Sequence, residues 1–144
     1  MADKITPAEA KRLIDEGGYA YLDVRSVPEF EGGHPQGAYN IPLQHLSEGG
    51  MRPNEDFIAQ VEATFGKDAK LIVGCKAGGR SQAAVAQLEA AGFQHIKDQF
   101  AGYGGARDSM GRLQEAGWAA AGLPVATEAE AGRDHASIAA KARG

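Results

Sequence analysis

One run, Leu71-Ile72-Val73-Gly74-Cys75-Lys76-Ala77-Gly78-Gly79-Arg80-Ser81, constrains the chain more than any other. Its three aliphatic residues form the short apolar stretch that a strand buried on both faces requires. A glycine-bearing loop follows, and from Ser81 to Ala91 the residues Ala84, Val85, Leu88 and Ala91 fall at helical spacing. A strand, a tight loop and a helix in that order point to an α/β arrangement, and they carry the only cysteine to the mouth of a helix. A helix start offers unpaired backbone N–H groups and a positive dipole end, and a glycine loop can turn its amides inward as an anion cradle. Lys76 and Arg80 add positive charge on either side. Cys75 therefore reads as a nucleophile held ready in its anionic form, against the commoner fate of a lone cysteine as a small buried hydrophobe.

The flanking sequence repeats the alternation. Thr6-Pro7-Ala8-Glu9 is a capping box with proline at the first helical position, so a helix is expected through Ala10, Leu13 and Ile14, ending near Gly17-Gly18. Tyr19 to Val24 follows as a strand that leaves Asp23 and Arg25 at its C-terminal end, where open α/β sheets place their sites. Arg25 is expected to pair with Asp23 or Glu29 as a supporting scaffold. His34 lies in a Gly/Pro-rich turn and is expected to stabilise it through a ring hydrogen bond, because an ionised thiolate needs no base. Asn40 to Leu43 reads as a short strand or extended exit, and 44–53 as a Gly/Ser-rich connection. Asn54 is expected to cap a helix bearing Phe57, Ile58, Val61 and Phe65, stopped near Gly66. Lys70 to Gly74 and His95 to Asp98 are further strands. Such a β-α-β succession builds a parallel sheet covered on both faces.

Composition narrows the classes. With 144 residues, 43% of them hydrophobic, one domain with its own core is expected. A formal net charge of −4 without a basic stripe argues against nucleic acid as a partner. One cysteine allows no internal disulfide, and His45, His95 and His135 lack metal-ligand spacing with Cys, Asp or Glu, so no metal is expected. The first residues show no apolar signal region and no stretch is long enough for a membrane span. A reducing, cytoplasmic setting without membrane association is therefore expected.

The motifs themselves resemble a known family. Cys75-x-x-Gly78-x-Arg80-Ser81 after an apolar strand resembles the active-site loop of rhodanese-type sulfurtransferases. Upstream, Leu22-Asp23-Val24-Arg25, Glu29-Phe30, Gly33-His34 and Gly37-Ala38-Tyr39-Asn40-Ile41-Pro42 resemble that family's second signature in the expected order. The likeness runs from about Thr6 to Pro124 and is nearest to the small single-domain forms, which include plant senescence-associated and bacterial stand-alone proteins. The resemblance implies a rhodanese-like α/β fold, with a central parallel sheet of about five strands and helices on both faces. It implies Cys75 as the catalytic residue and Lys76, Ala77, Gly78, Gly79, Arg80 and Ser81 as the substrate-binding loop, with Asp23, Arg25, Glu29 and His34 in structural support. The reaction implied is transfer of a sulfane sulfur from thiosulfate, or a similar anionic donor, to cyanide or a thiol through a Cys75 persulfide. Glutathione or a thioredoxin-like thiol would be the acceptor. Two other chemistries compete. A persulfide carrier or sensor module would act with a protein partner. Cysteine phosphatases and arsenate reductases share the thiolate logic, but they place five residues between Cys and Arg, where Lys76 to Gly79 here supply four.

One departure stands out. Gly102-Tyr103-Gly104-Gly105 reads as a turn, and the family's tryptophan and G-L-P exit reappear only at Trp118 and Gly122-Leu123-Pro124. The intervening 106–117 is an insertion expected to be helical in its middle, lengthening the last helix or forming a flap. The domain is accordingly expected over 1–126. The remainder, 127–144, alternates Ala with charged residues around a lone Ile138 and is expected to be a frayed helix or a disordered tail.

Overall fold

A computed structural model of the chain describes residues 2–144. Its centre is a parallel sheet of five strands: β1 (Asp3–Ile5), β2 (Ala20–Asp23), β4 (Tyr39–Asn40), β7 (Lys70–Gly74) and β8 (His95–Gln99). They lie in the order β1-β8-β7-β2-β4. The strand that leads to Cys75 is thus the middle one, paired in register with β2 (Leu22 opposite Val73) and with β8 (Val73 opposite Asp98). Leu71, Ile72 and Val73 are fully buried, as a strand covered on both faces requires.

Helices cover both faces. On one side α3 (Phe57–Thr64), α4 (Gly79–Ala90) and α5 (His135–Arg143) close over Leu22, Leu71, Val73, Phe57, Val61, Leu88 and Ile138. On the other, α1 (Pro7–Glu16) and the short α2 (Val27–Glu31) pack with Tyr21, Ile72, Phe30 and Trp118. The capping box at Thr6 forms as expected: the Glu9 amide donates to Thr6 Oγ1 at 3.1 Å and the Thr6 amide to Glu9 Oε1 at 2.9 Å. A second capping box starts α2, joining Ser26 and Glu29. Among the described residues, no helix is long and apolar enough to cross a membrane.

Three expectations are corrected. Asn54 is not the cap of α3; Asp56 holds that position, while Asn54 donates from Nδ2 to Pro42 O and to Gln60 Oε1 and ties the preceding turn to the helix. The 106–117 segment is not helical but a hairpin of β9 (Ala106–Arg107) and β10 (Leu113–Glu115). Its turn is closed by Asp108, whose Oδ1 accepts from the Met110 and Arg112 amides, and this local bonding outcompetes helix. Nor is 127–144 frayed or disordered. Before it, β11 (Val125–Ala126) pairs antiparallel with β3 (His34–Pro35). Within it, α5 is capped by Asp134, whose Oδ2 accepts from the Ser137 amide, and it buries Ile138 and Ala139 against the core. The 44–53 connection also has structure, a hairpin of β5 (Gln44–Ser47) and β6 (Gly50–Pro53).

Candidate active site

Cys75 follows directly on β7, at the C-terminal edge of the sheet. Its sulfur accepts two backbone hydrogen bonds, from Gly78 N at 3.1 Å and from Ser81 N at 3.2 Å. What bends the chain to present both amides is Gly78, the residue before α4, at φ +104° with Phe100 O only 2.8 Å from where a Cβ would stand. A side chain there would meet both the strain of the left-handed region and the neighbouring backbone. The loop after β8 fastens the other side of Cys75: Tyr103 N donates to Cys75 O at 2.7 Å and Gly104 N to Lys76 O at 2.8 Å. Gly102, at φ +64°, lets this loop approach, since a Cβ would lie 2.3 Å from Cys75 O.

Two polar networks hold the cradle in place. Arg80 reaches from α4 to Glu29 on α2 with Nη1 to Oε1 at 2.6 Å and Nη2 to Oε2 at 3.0 Å. The hydrogen bonds from Arg80, aided by those from Ser26, hold the Glu29 carboxyl at about 2 despite its partial burial. Ser81 contributes twice: its amide faces the sulfur, and its hydroxyl lies 2.9 Å from Asp98 Oδ1 on β8 and 3.1 Å from Gly78 O. Burial pushes the Asp98 carboxyl above its ordinary range. Cys75 lines an open cleft of about 420 Å³ together with Leu43, Gln44, Lys76, Ala77, Gly79, Arg80 and Ala83. Cys75 itself is 2% exposed, so a reactant reaches the sulfur only through that cleft.

Of the support residues, Arg25 pairs with Asp23 rather than Glu29. Its Nη2 donates to Asp23 Oδ2 at 2.8 Å and to Gly33 O at 2.6 Å, with the guanidinium 4.4 Å above the Tyr103 ring centre. Burial opposes the Arg25 charge, yet Asp23 more than offsets it and raises its pKa. His34 stacks on Phe30, with centroids 3.6 Å apart, and its Nδ1 lies 2.7 Å from Phe30 O. The structure therefore brings Cys75, the loop 76–81 and Glu29 together, and sets Asp23, Arg25 and His34 behind them as scaffold. It adds Asp98, Gln44 and Tyr103, none of them expected at the site from the sequence. Asp98 could have been noticed as a carboxylate in a strand that must be buried, but Gln44 sits in a stretch that reads as a plain connection.

An open parallel sheet with one amide-cradled cysteine at the C-terminal end of its central strand defines a single-cysteine α/β domain. The chain belongs to the Rhodanese-like domain family, whose model matches residues 6–104. It is 42% identical over 108 residues to thiosulfate sulfurtransferase 16, chloroplastic, of Arabidopsis thaliana, covering 75% of this chain and 80% of that protein. It is 39% identical over 97 residues to the senescence-associated protein DIN1 of Raphanus sativus, covering 67% of this chain but only 53% of that relative. Among solved structures, Rv0390 from M. tuberculosis superposes with a TM-score of 0.71 at 26% identity, over 88% of this chain and 98% of that one.

Proposed function

We propose that the chain is a sulfurtransferase that moves a sulfane sulfur from thiosulfate, or a similar anionic donor, to a thiol through a Cys75 persulfide. The observation that carries this reading is the pair of amide hydrogens donated to Cys75 Sγ at the floor of an open cleft. Donors fixed at that position favour a negative sulfur and cost no reorganisation when charge moves outward. The Cys75 thiolate attacks the outer sulfur of thiosulfate. The S–S bond of the donor breaks, its electron pair leaves with sulfite, and Cys75 carries S–S⁻. An acceptor then attacks the terminal sulfur and the Cys75 thiolate departs with the bonding pair. Cyanide serves as a laboratory acceptor; glutathione or a thioredoxin-like thiol takes that place in a reducing compartment, which we take to be the cytoplasm. The chain is carrier and catalyst at once, so the reaction calls on no cofactor, nucleic acid or membrane.

Arg80 enters this scheme differently from a free cation. Its charge is shared with Glu29, so it organises the start of α4, while exposed Lys76 supplies the uncompensated charge that attracts the donor. The test is intact mass after incubation with thiosulfate. A gain of one sulfur atom, reversed by a thiol and absent from Cys75→Ser, is the expected result. Unaltered thiocyanate formation by Cys75→Ser would refute it.

A further inference from the structure

A separate hollow of about 380 Å³ opens at the edge of the sheet beside β4, between α2 and the start of α5. It shares no lining residue with the cleft at Cys75. Asn40, only 1% exposed, lines its inner end. The sheet fixes that amide: Nδ2 donates to Asp23 O at 3.1 Å and to Arg25 O at 3.0 Å. The oxygen is the other arm of the planar amide, so Oδ1 is turned away from those two carbonyls and toward the hollow. Among the described residues it is the one buried side-chain nitrogen or oxygen without a hydrogen-bond partner. A buried acceptor left unmet is costly and calls for a donor.

Charge says what kind of donor. Glu31, Glu128 and Asp134 put three carboxylates around the hollow, and no Lys or Arg lines it. Ser137 keeps Asp134 ionised, its hydroxyl donating to Oδ1 at 2.6 Å and its amide to Oδ2 at 3.2 Å. His135, the other titratable residue of the lining, is held below its ordinary value mainly by burial, so its ring is neutral at pH 7 and adds no opposing charge. The carboxylates do not converge as a metal ion requires, since no three His, Cys, Asp or Glu side chains among the described residues are grouped that way. They are spread out instead. Glu31 and Glu128 stand at the exposed rim, whereas Asp134 is half-buried and follows Arg133, whose carbonyl accepts from Asn40 N at 2.9 Å. Val27 and Phe30 add an apolar wall. A fitting ligand therefore carries N–H donors, more than one positive charge and an aliphatic body.

We propose that this hollow is a binding site for an aliphatic diamine: one ammonium group donates to Asn40 Oδ1 beside Asp134, the other is held at the rim by Glu31 and Glu128, and the methylene chain lies against Val27 and Phe30. The site goes beyond sulfur transfer and does not depend on it. The one structural link is α2, which carries Phe30 and Glu31 toward the hollow and Glu29 toward Arg80.

The experiment titrates the full ¹⁵N-labelled chain with 1,4-diaminobutane at constant ionic strength and pH 7, following by NMR the side-chain NH₂ of Asn40 and the backbone amides of Glu128 and His135. These signals should shift together and saturate with a Kd of about 1 mM. n-Butylamine, with one ammonium group, should bind about fivefold more weakly. Tetramethylammonium, a cation with no N–H to give, should leave the Asn40 signal in place. Glu31→Gln and Glu128→Gln, at exposed side chains, should each raise the diamine Kd about threefold, while Glu48→Gln, outside the hollow, should not change it. The same spectra report that each variant has folded. Shifts that do not saturate, that tetramethylammonium reproduces, or that respond to Glu48→Gln as strongly as to the two rim variants would mean attraction to diffuse charge and overturn the site. Tighter saturation of the same signals by Ca²⁺ would overturn the diamine in favour of a metal ion.

Discussion

At the scale of single residues, the amide surroundings of Cys75 were legible because they are local. A strand, a glycine loop and a helix start are all written within Leu71–Ser81, and the two amides that meet Sγ belong to residues of that loop. The partner of Arg80 was not legible: Glu29 is 51 positions away, and only the fold brings the two to 2.6 Å. That pair makes a pH prediction. Glu29 is held at about 2 against an ordinary 4.5. The contribution is therefore fully present above about 4.5 and is lost as pH falls through about 2. Glu29→Gln should cost on the order of 1 kcal/mol near neutral pH, since the pair is partly exposed. It should also flatten that part of the acid titration, as read by urea midpoints from pH 2 to 6; a wild-type slope retained in the variant would contradict the assignment. Gly102 gives a sharper test. A methyl there would stand 2.3 Å from Cys75 O and 2.7 Å from Lys76 O, at φ +64°, so Gly102→Ala should destabilise by about 3 kcal/mol. Because the clash falls on the Cys75 carbonyl, sulfur transfer at a temperature where the variant is still folded should drop as well.

At the scale of elements, helices with their own caps were readable and elements held by distant partners were not. Thr6 and Glu9 announce α1, whereas α5 looks on paper like a solvated Ala-rich tail with one aliphatic. Its order comes from elsewhere: Ile138 is 2% exposed in the core that includes Phe57 and Val61, and His135 Nε2 lies 3.1 Å from Gln60 Oε1 of α3. Ile138→Ala should therefore cost about 3 kcal/mol, a core value, rather than the few tenths expected of a frayed end. Denaturant unfolding distinguishes the two. His135 adds a pH signature. Burial, and then the neighbouring His45, hold its pKa below the ordinary 6.5, with Asp134 opposing and Arg143 adding to the effect. The unfolded chain then takes up the proton more readily than the folded one, so the stability is fully present above 6.5 and is lost as pH falls through the lower folded value. His135→Gln should remove that slope from the pH dependence of the urea midpoint. The 106–117 hairpin was missed for a related reason: its helix-forming residues yield to an Asp108 side chain that bonds two amides and pairs with Arg112 at 3.0 Å.

At the scale of the molecule, the β-α-β alternation was enough to expect a parallel sheet with two covered faces, but not the strand order, which no local pattern encodes. That order places β7 at the centre, so Cys75 follows a strand supported from both sides. One core is closed by α3, α4 and α5, and the other by α1, α2 and the segment through Trp118. The second core reaches the site as well. Trp118 meets the Tyr21 ring edge-on at 5.4 Å and donates from Nε1 to Pro124 O at 2.7 Å. The Tyr21 hydroxyl in turn accepts from Gln99 Nε2, and Gln99 brackets Gly102 beneath Cys75. Since both cores share one sheet, they should melt together. Trp118→Ala, which empties a residue only 1% exposed, should cost about 4 kcal/mol and lower Tm by roughly 10 °C for a domain of this size. Calorimetry should record one transition whose calorimetric and van't Hoff enthalpies agree. Two separated transitions in the variant, with the half of the molecule that carries Cys75 surviving the first, would show that the faces are independent and that Trp118 has no part in holding the site.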